Sequence, residues 1–119
     1  MKLFAGLRKI REYQREQLPF LKSVVEFDIV VEIGFAEEAG TPITLKQLSL
    51  LGICSRTTLR RKLAQLMQQE IIVRQKSQDR RLNLLIISPG TFRLLTRYGQ
   101  TLKAIAGTHF KRVIRSPIG

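Results

Sequence analysis

One cysteine, one histidine and no tryptophan occur in 119 residues. The lone Cys54 excludes an internal disulfide framework and agrees with a reducing cytosol. With His109 as its only companion, the chain lacks donors for a typical zinc site with four protein ligands. Cys54 reads as a small packing residue, since no second cysteine could resolve an oxidised sulfur. No stretch reaches the roughly 18 uninterrupted apolar residues of a membrane span. Even residues 24–36 are broken by Glu26, Asp28 and Glu32. The early charges are not followed by the apolar run of a signal peptide. A glycine-rich phosphate loop is missing, as are internal repeats, low-complexity tracts and linkers. These gaps predict a cytoplasmic protein that is not an enzyme, with no catalytic residues, no metal site, no cofactor and no membrane partner.

Acidic residues are scarce in one half only. The formal net charge is +12. In residues 1–50, Lys2, Arg8, Lys9, Arg11, Arg15, Lys22 and Lys46 are matched by Glu12, Glu16, Glu26, Asp28, Glu32, Glu37 and Glu38. From residue 51 onward the only acids are Glu70 and Asp79, so the whole excess lies there. A solubility charge would be spread evenly. A one-sided basic field is the footprint of a polyanion binder, which points to nucleic acid.

With 44% hydrophobic residues the chain can bury a core, and its length suits one domain. We expect a single domain over 1–119, with a core of about 20–106 and helical arms at 2–16 and 91–114. The first arm places Leu3, Phe4, Leu7 and Ile10 on one side. Such a short helix is marginal alone and must pack on the domain or on a second copy. Ser23 and Glu26 form a capping-box pattern, opening a helix that runs to Ala39, with Gly40 and Pro42 as its stop. That helix is apolar on two faces. Val24, Phe27, Val31 and Phe35 share one; Val25, Ile29, Ile33 and Ala36 share the other. Burial on two sides follows.

The organising stretch is 44–88. Thr44 and Gln47 form a second capping box, and Leu45, Leu48 and Leu51 point inward from the helix it opens. Gly52 suits a tight turn. Ser55 is a good N-cap for a helix over residues 56–69. Leu59, Leu63, Leu66 and Met67 fall on its inner side. Thr57, Thr58, Arg61, Gln65 and Gln68 fall opposite, with Arg60 and Lys62 on the flanks. This outer face holds no acid before Glu70. It offers Arg, Thr and Gln, which hydrogen-bond base edges and phosphates. Strands over 71–76 and 82–87 follow, with residues 42–44 as a short partner strand. The tip between them carries Arg80 and Arg81, suited to a narrow minor groove, and Asp79, placed to grip an arginine. Ser88 and Pro89 then start a helix seamed by Leu95, Tyr98, Leu102 and Ile105, with Phe110 and Val113 beyond. Lys111, Arg112 and Arg115 form its basic end. The fold class is mainly α with a small β-hairpin wing: a winged helix-turn-helix whose terminal helices are available for dimerisation.

These residues resemble the MarR-type winged helix-turn-helix transcriptional regulators. The resemblance covers about residues 30–102. It runs through Ile43-Thr-Leu-Lys-Gln-Leu48, Ser55-Arg-Thr-Thr-Leu-Arg-Arg-Lys-Leu63 and Gln69-Glu-Ile-Ile-Val-Arg74. Asp79, Arg81 and Ser88 fit the family's wing signature, with Ser88 replacing its Thr. The flanking helices are short for the family, and Thr91 stands where it usually has Gly. The resemblance implies a homodimer that represses or activates promoters at a near-palindromic duplex site. It places the second helix of the motif in the major groove and the wing in the minor groove. Arg56, Thr57, Thr58, Arg60 and Arg61 would face DNA, with Arg81 at the wing tip. The full expected DNA-binding set is Arg56, Thr57, Thr58, Arg60, Arg61, Lys62, Gln65, Arg80 and Arg81. A small-molecule effector has no support in the residues. A protein-interaction winged helix and a replication-initiator or RNA-binding winged helix stay open as alternatives.

Overall fold

The computed structural model describes residues 3–109. In chain order these form α1 (Leu3–Gln17), α2 (Val24–Glu38), β1 (Ile43–Thr44), α3 (Leu45–Leu50), α4 (Arg56–Gln68), β2 (Ile72–Lys76), β3 (Asn83–Ile87) and α5 (Pro89–His109). They divide into two compact units. One comprises residues up to Pro19 with those from Arg93 onward; the other is Phe20–Phe92. The basic end and the Phe110 and Val113 positions lie outside the described residues.

The second unit carries the expected winged helix. Its sheet is antiparallel in the order β1-β3-β2. Ile43 pairs with Leu85, and Lys76 with Asn83 next to the hairpin tip. Ile29, Val30 and Ile33 of α2, Leu48 of α3, Leu59, Leu63 and Leu66 of α4, and Ile72, Leu85 and Ile87 of the sheet are buried. Each such side chain contributes roughly 1.5–3 kcal/mol relative to exposure.

The helix ends show why the elements stop where they do. Thr44 and Gln47 close a complete capping box: Thr44 N–H donates to Gln47 Oε1 at 2.9 Å, and Gln47 N–H donates to Thr44 Oγ1 at 3.2 Å. Two helices end in the same six-residue closure. After α2, Gly40 N–H donates to Glu37 O and Thr41 N–H to Ala36 O, both at 3.0 Å. After α4, Glu70 N–H donates to Met67 O at 3.0 Å and Ile71 N–H to Leu66 O at 2.9 Å. Both closures need a left-handed residue, and the φ values are 79° at Gly40 and 59° at Glu70.

Two inward assignments differ from expectation. Leu51 is the C-cap of α3 and is 51% exposed: it keeps helical backbone angles, and steps of three residues drift around a 3.6-residue turn, away from the face of buried Leu48. Cys54 is half-buried in the turn, so it is only partly a packing residue. The two faces of α2 also fare differently. Ile29 and Ile33 are fully buried, whereas Val24, Val31 and Phe35 stand 74%, 48% and 66% exposed.

In the first unit, α1 and the later part of α5 meet through Tyr13 and Tyr98, whose rings stack at 5.9 Å between centroids. Gln14 Nε2 donates to Tyr98 Oη at 2.6 Å, which satisfies a buried phenol. Tyr98 and Ile105 of the expected seam are buried, and Leu95 and Leu102 are half-buried. Phe4 and Leu7 of α1 remain exposed.

Candidate nucleic-acid interface

Helix α4 is set by its cap and its inner leucines. Ser55 Oγ accepts the Thr58 N–H at 3.2 Å. Burial of Leu59, Leu63 and Leu66 then fixes which side turns outward. Arg56, Thr57, Arg60, Arg61, Gln65 and Gln68 are exposed. Among the described residues, Arg56, Arg60 and Arg61 form no ion pair. Their guanidinium groups therefore keep all five donors for an incoming anion. Thr58 is half-buried, and its hydroxyl lies 2.9 Å from Ser55 Oγ, so it serves the cap as well as the outer face.

Lys62 departs from the expected set. Its Nζ donates to Glu26 Oε1 at 2.9 Å, and its side chain is 17% exposed. The flank of α4 on which it lies faces α2, and a buried carboxylate there captures it. Glu26 is itself 7% exposed. Its N–H meets Ser23 Oγ at 3.4 Å, but its carboxylate does not complete the expected capping box. Oε2 accepts the Lys22 N–H at 2.6 Å instead. Burial alone would raise the Glu26 carboxyl. The hydrogen bonds from Lys62 and Lys22, together with their charges, outweigh it and hold the group below its ordinary value of 4.5.

The wing tip is built by hydrogen bonds within the loop. Ser77 N–H donates to Leu82 O at 2.9 Å, and Leu82 N–H donates to Ser77 Oγ at 3.2 Å. Asp79 does not grip an arginine, as its position suggested. Its Oδ1 accepts the Ser77 hydroxyl and the Arg81 backbone N–H, the latter at 3.1 Å. These bonds lower its pKa, the serine contact first. An Asp two residues before a donor N–H makes a local turn, and here that turn takes up the carboxylate. Arg80 sits at φ 59°, and both Arg80 and Arg81 are exposed. Asp79 thus shapes the tip and leaves both arginines to the solvent.

The two ends of the motif are also fastened. Glu37 Oε1 accepts the Ile87 N–H at 2.9 Å, tying α2 to the end of β3. Ser88 Oγ accepts the Thr91 N–H at 3.3 Å, and both residues are buried at the start of α5. Thr91, the departure from the family pattern, therefore has a capping partner. The ties made by Glu26 and Glu37 carry no signal in the sequence. Their partners lie 36 and 50 residues away, and no local spacing signals them.

Among the described residues no group of acids, His and Cys could hold a metal ion, and no helix is long and apolar enough to cross a membrane. No protein-family model and no curated protein matches the chain. Solved structures do match. AbsC, a MarR family transcriptional regulator from Streptomyces coelicolor, superposes with a TM-score of 0.58 at 14% identity, covering 92% of this chain and 74% of that one. A cysteine-to-serine variant of MarR from E. coli, in complex with operator DNA, gives 0.56 at 16%, covering 92% and 74%. The transcriptional regulator BldR from Sulfolobus solfataricus gives 0.53 at 16%, covering 97% and 84%. The chain is therefore built on the winged-helix fold of the MarR regulators.

Proposed function

We propose that this protein is a sequence-specific regulator of transcription that binds double-stranded DNA as a homodimer in the cytoplasm. The carrying observation is the outer face of α4, where exposed Arg56, Thr57, Arg60, Arg61 and Gln65 project from a capped helix with no acid among them. In this reading α4 enters the major groove, where Arg61, Gln65 and Thr57 contact base edges and Arg60 contacts phosphate. Thr58 contributes from the cap end. Arg80 and Arg81 reach from the wing into the adjacent minor groove. The fold shared with the MarR–operator complex supports this placement. Terminal helical arms and the winged helix act as one functional domain. A second copy covers the exposed apolar residues of α1 and α2, which are costly to leave in water. The reading assigns no catalytic role.

The test is selection of bound duplexes from a random pool at physiological salt. An enriched inverted repeat, with half-sites about one helical turn apart, is the expected result. Retention without a motif would indicate an initiator or architectural role. No retention would overturn the reading in favour of protein docking. Leu50 and Leu51, exposed at the end of α3, would then be the first residues to examine.

A further inference from the structure

Two facts about Lys62 pull apart. It belongs to the basic helix α4, beside residues that face outward, and it lies on a flank from which a four-carbon stem can reach a phosphate. Yet its ammonium is turned back 2.9 Å from Glu26, and the side chains of the pair are only 17% and 10% exposed. Glu26 is also anchored from its own side: Ser23 caps the first turn of α2, and the Lys22 N–H holds Oε2. The carboxylate is thus fixed before Lys62 reaches it. The pair borders an open hollow of about 370 Å³, which Phe20, Lys22 and Gln65 also line. An ammonium released from Glu26 therefore has space to swing outward.

From this geometry we propose that Glu26 is a positioning residue for the DNA-facing helix: it withholds Lys62 from the phosphate backbone and so limits sequence-independent affinity. The role rests on the DNA-binding reading above. Phosphate contacts hold a protein on any duplex, whereas base contacts discriminate. A lysine kept off the backbone lowers the former without touching the latter. The same pair fastens α4 to α2, so α4 presents Arg61 and Gln65 at a fixed angle.

The experiment measures affinity for a mixed-sequence duplex against salt for wild type, Glu26→Gln, Lys62→Gln and the double variant. Each phosphate contact steepens the log–log slope by about 0.9, which equals roughly 3.5-fold more affinity lost between 50 and 200 mM salt. Glu26→Gln should steepen the slope by about one contact and tighten binding at low salt. Lys62→Gln should leave the slope at the wild-type value, and the double variant should return to it. A purely structural role for the pair moves stability but not this pattern. If Glu26→Gln keeps the wild-type slope, or Lys62→Gln flattens it, Lys62 is either unreachable or already on phosphate, and the proposal falls. Thermal melts of all four proteins separate unfolding from the salt effect. Should Glu26→Gln unfold, Glu26→Asp takes its place: the shorter carboxylate loosens its hold on Lys62, so a steeper slope supports the proposal and a wild-type slope overturns it. A wild-type protein that retains no duplex overturns the DNA reading itself, and this role with it. Where wild type binds, the variants bear on Glu26 alone.

Discussion

At Glu70, directly after α4, a non-glycine residue occupies φ 59°. The left-handed conformation costs an L-residue roughly 1–2 kcal/mol in steric terms, and the same closure after α2 uses Gly40. Glu70→Gly should therefore stabilise the protein by up to about 1 kcal/mol once the glycine's greater unfolded-state entropy is set against the relief. A urea midpoint that falls would show that Glu70 makes a compensating contact. On the outer face, Arg61→Ala should cost about 1–3 kcal/mol at the selected operator and relax discrimination at one base position. Equal loss on every sequence would make Arg61 a phosphate contact. Arg61 was legible because the period of the buried leucines dictates which residues lie opposite them. The left-handed Glu70 was not, since nothing in the residue type marks it; only the meeting of α4 with β2 demands the turn there.

Elements were legible to within a residue or so at most ends. The Ser23 N-cap, the Thr44–Gln47 capping box, the proline at the start of α5 and the glycine after α2 act on their nearest neighbours, so local chemistry suffices. What spacing missed is how α2 and α4 are tied. Glu26 looked like the second half of a capping box and instead pairs with Lys62. That tie has a pH signature. The Glu26 carboxyl is depressed in the folded state, so its contribution is fully present above the ordinary value of 4.5 and is lost as pH falls through the folded value. Glu26→Gln should be less stable than wild type near neutrality, and the gap should narrow steadily below about pH 5. Urea midpoints of both proteins across this range check it. A gap independent of pH would mean that the carboxylate's charge contributes nothing. At the wing, Asp79 looked like a partner for a guanidinium and proved to be a turn former. A backbone donor two residues away is reached without ordering a long side chain, and it wins the carboxylate.

For the molecule as a whole, two patterns reach beyond any one element. All of the +12 charge excess falls after residue 50, so steep salt dependence of duplex binding is expected. The exposed stripe of Val24, Val31 and Phe35 on α2 is the other. If a second copy covers it, Phe35→Asp should weaken self-association by at least tenfold in sedimentation measurements while leaving the monomer folded, since the ring is 66% exposed. Unchanged association would move the dimer contact elsewhere, with Phe4 and Leu7 of α1 next to be tested. By itself the sequence determined the helices, the hairpin, the inward leucines of α4 and the sign and side of the charge, because periodicity, caps and composition are properties of neighbouring residues. Tertiary structure alone decided which of the two apolar faces of α2 is buried and where Lys62 points. Those outcomes depend on what lies alongside each helix, and the decisive neighbour of Lys62 is 36 residues away along the chain.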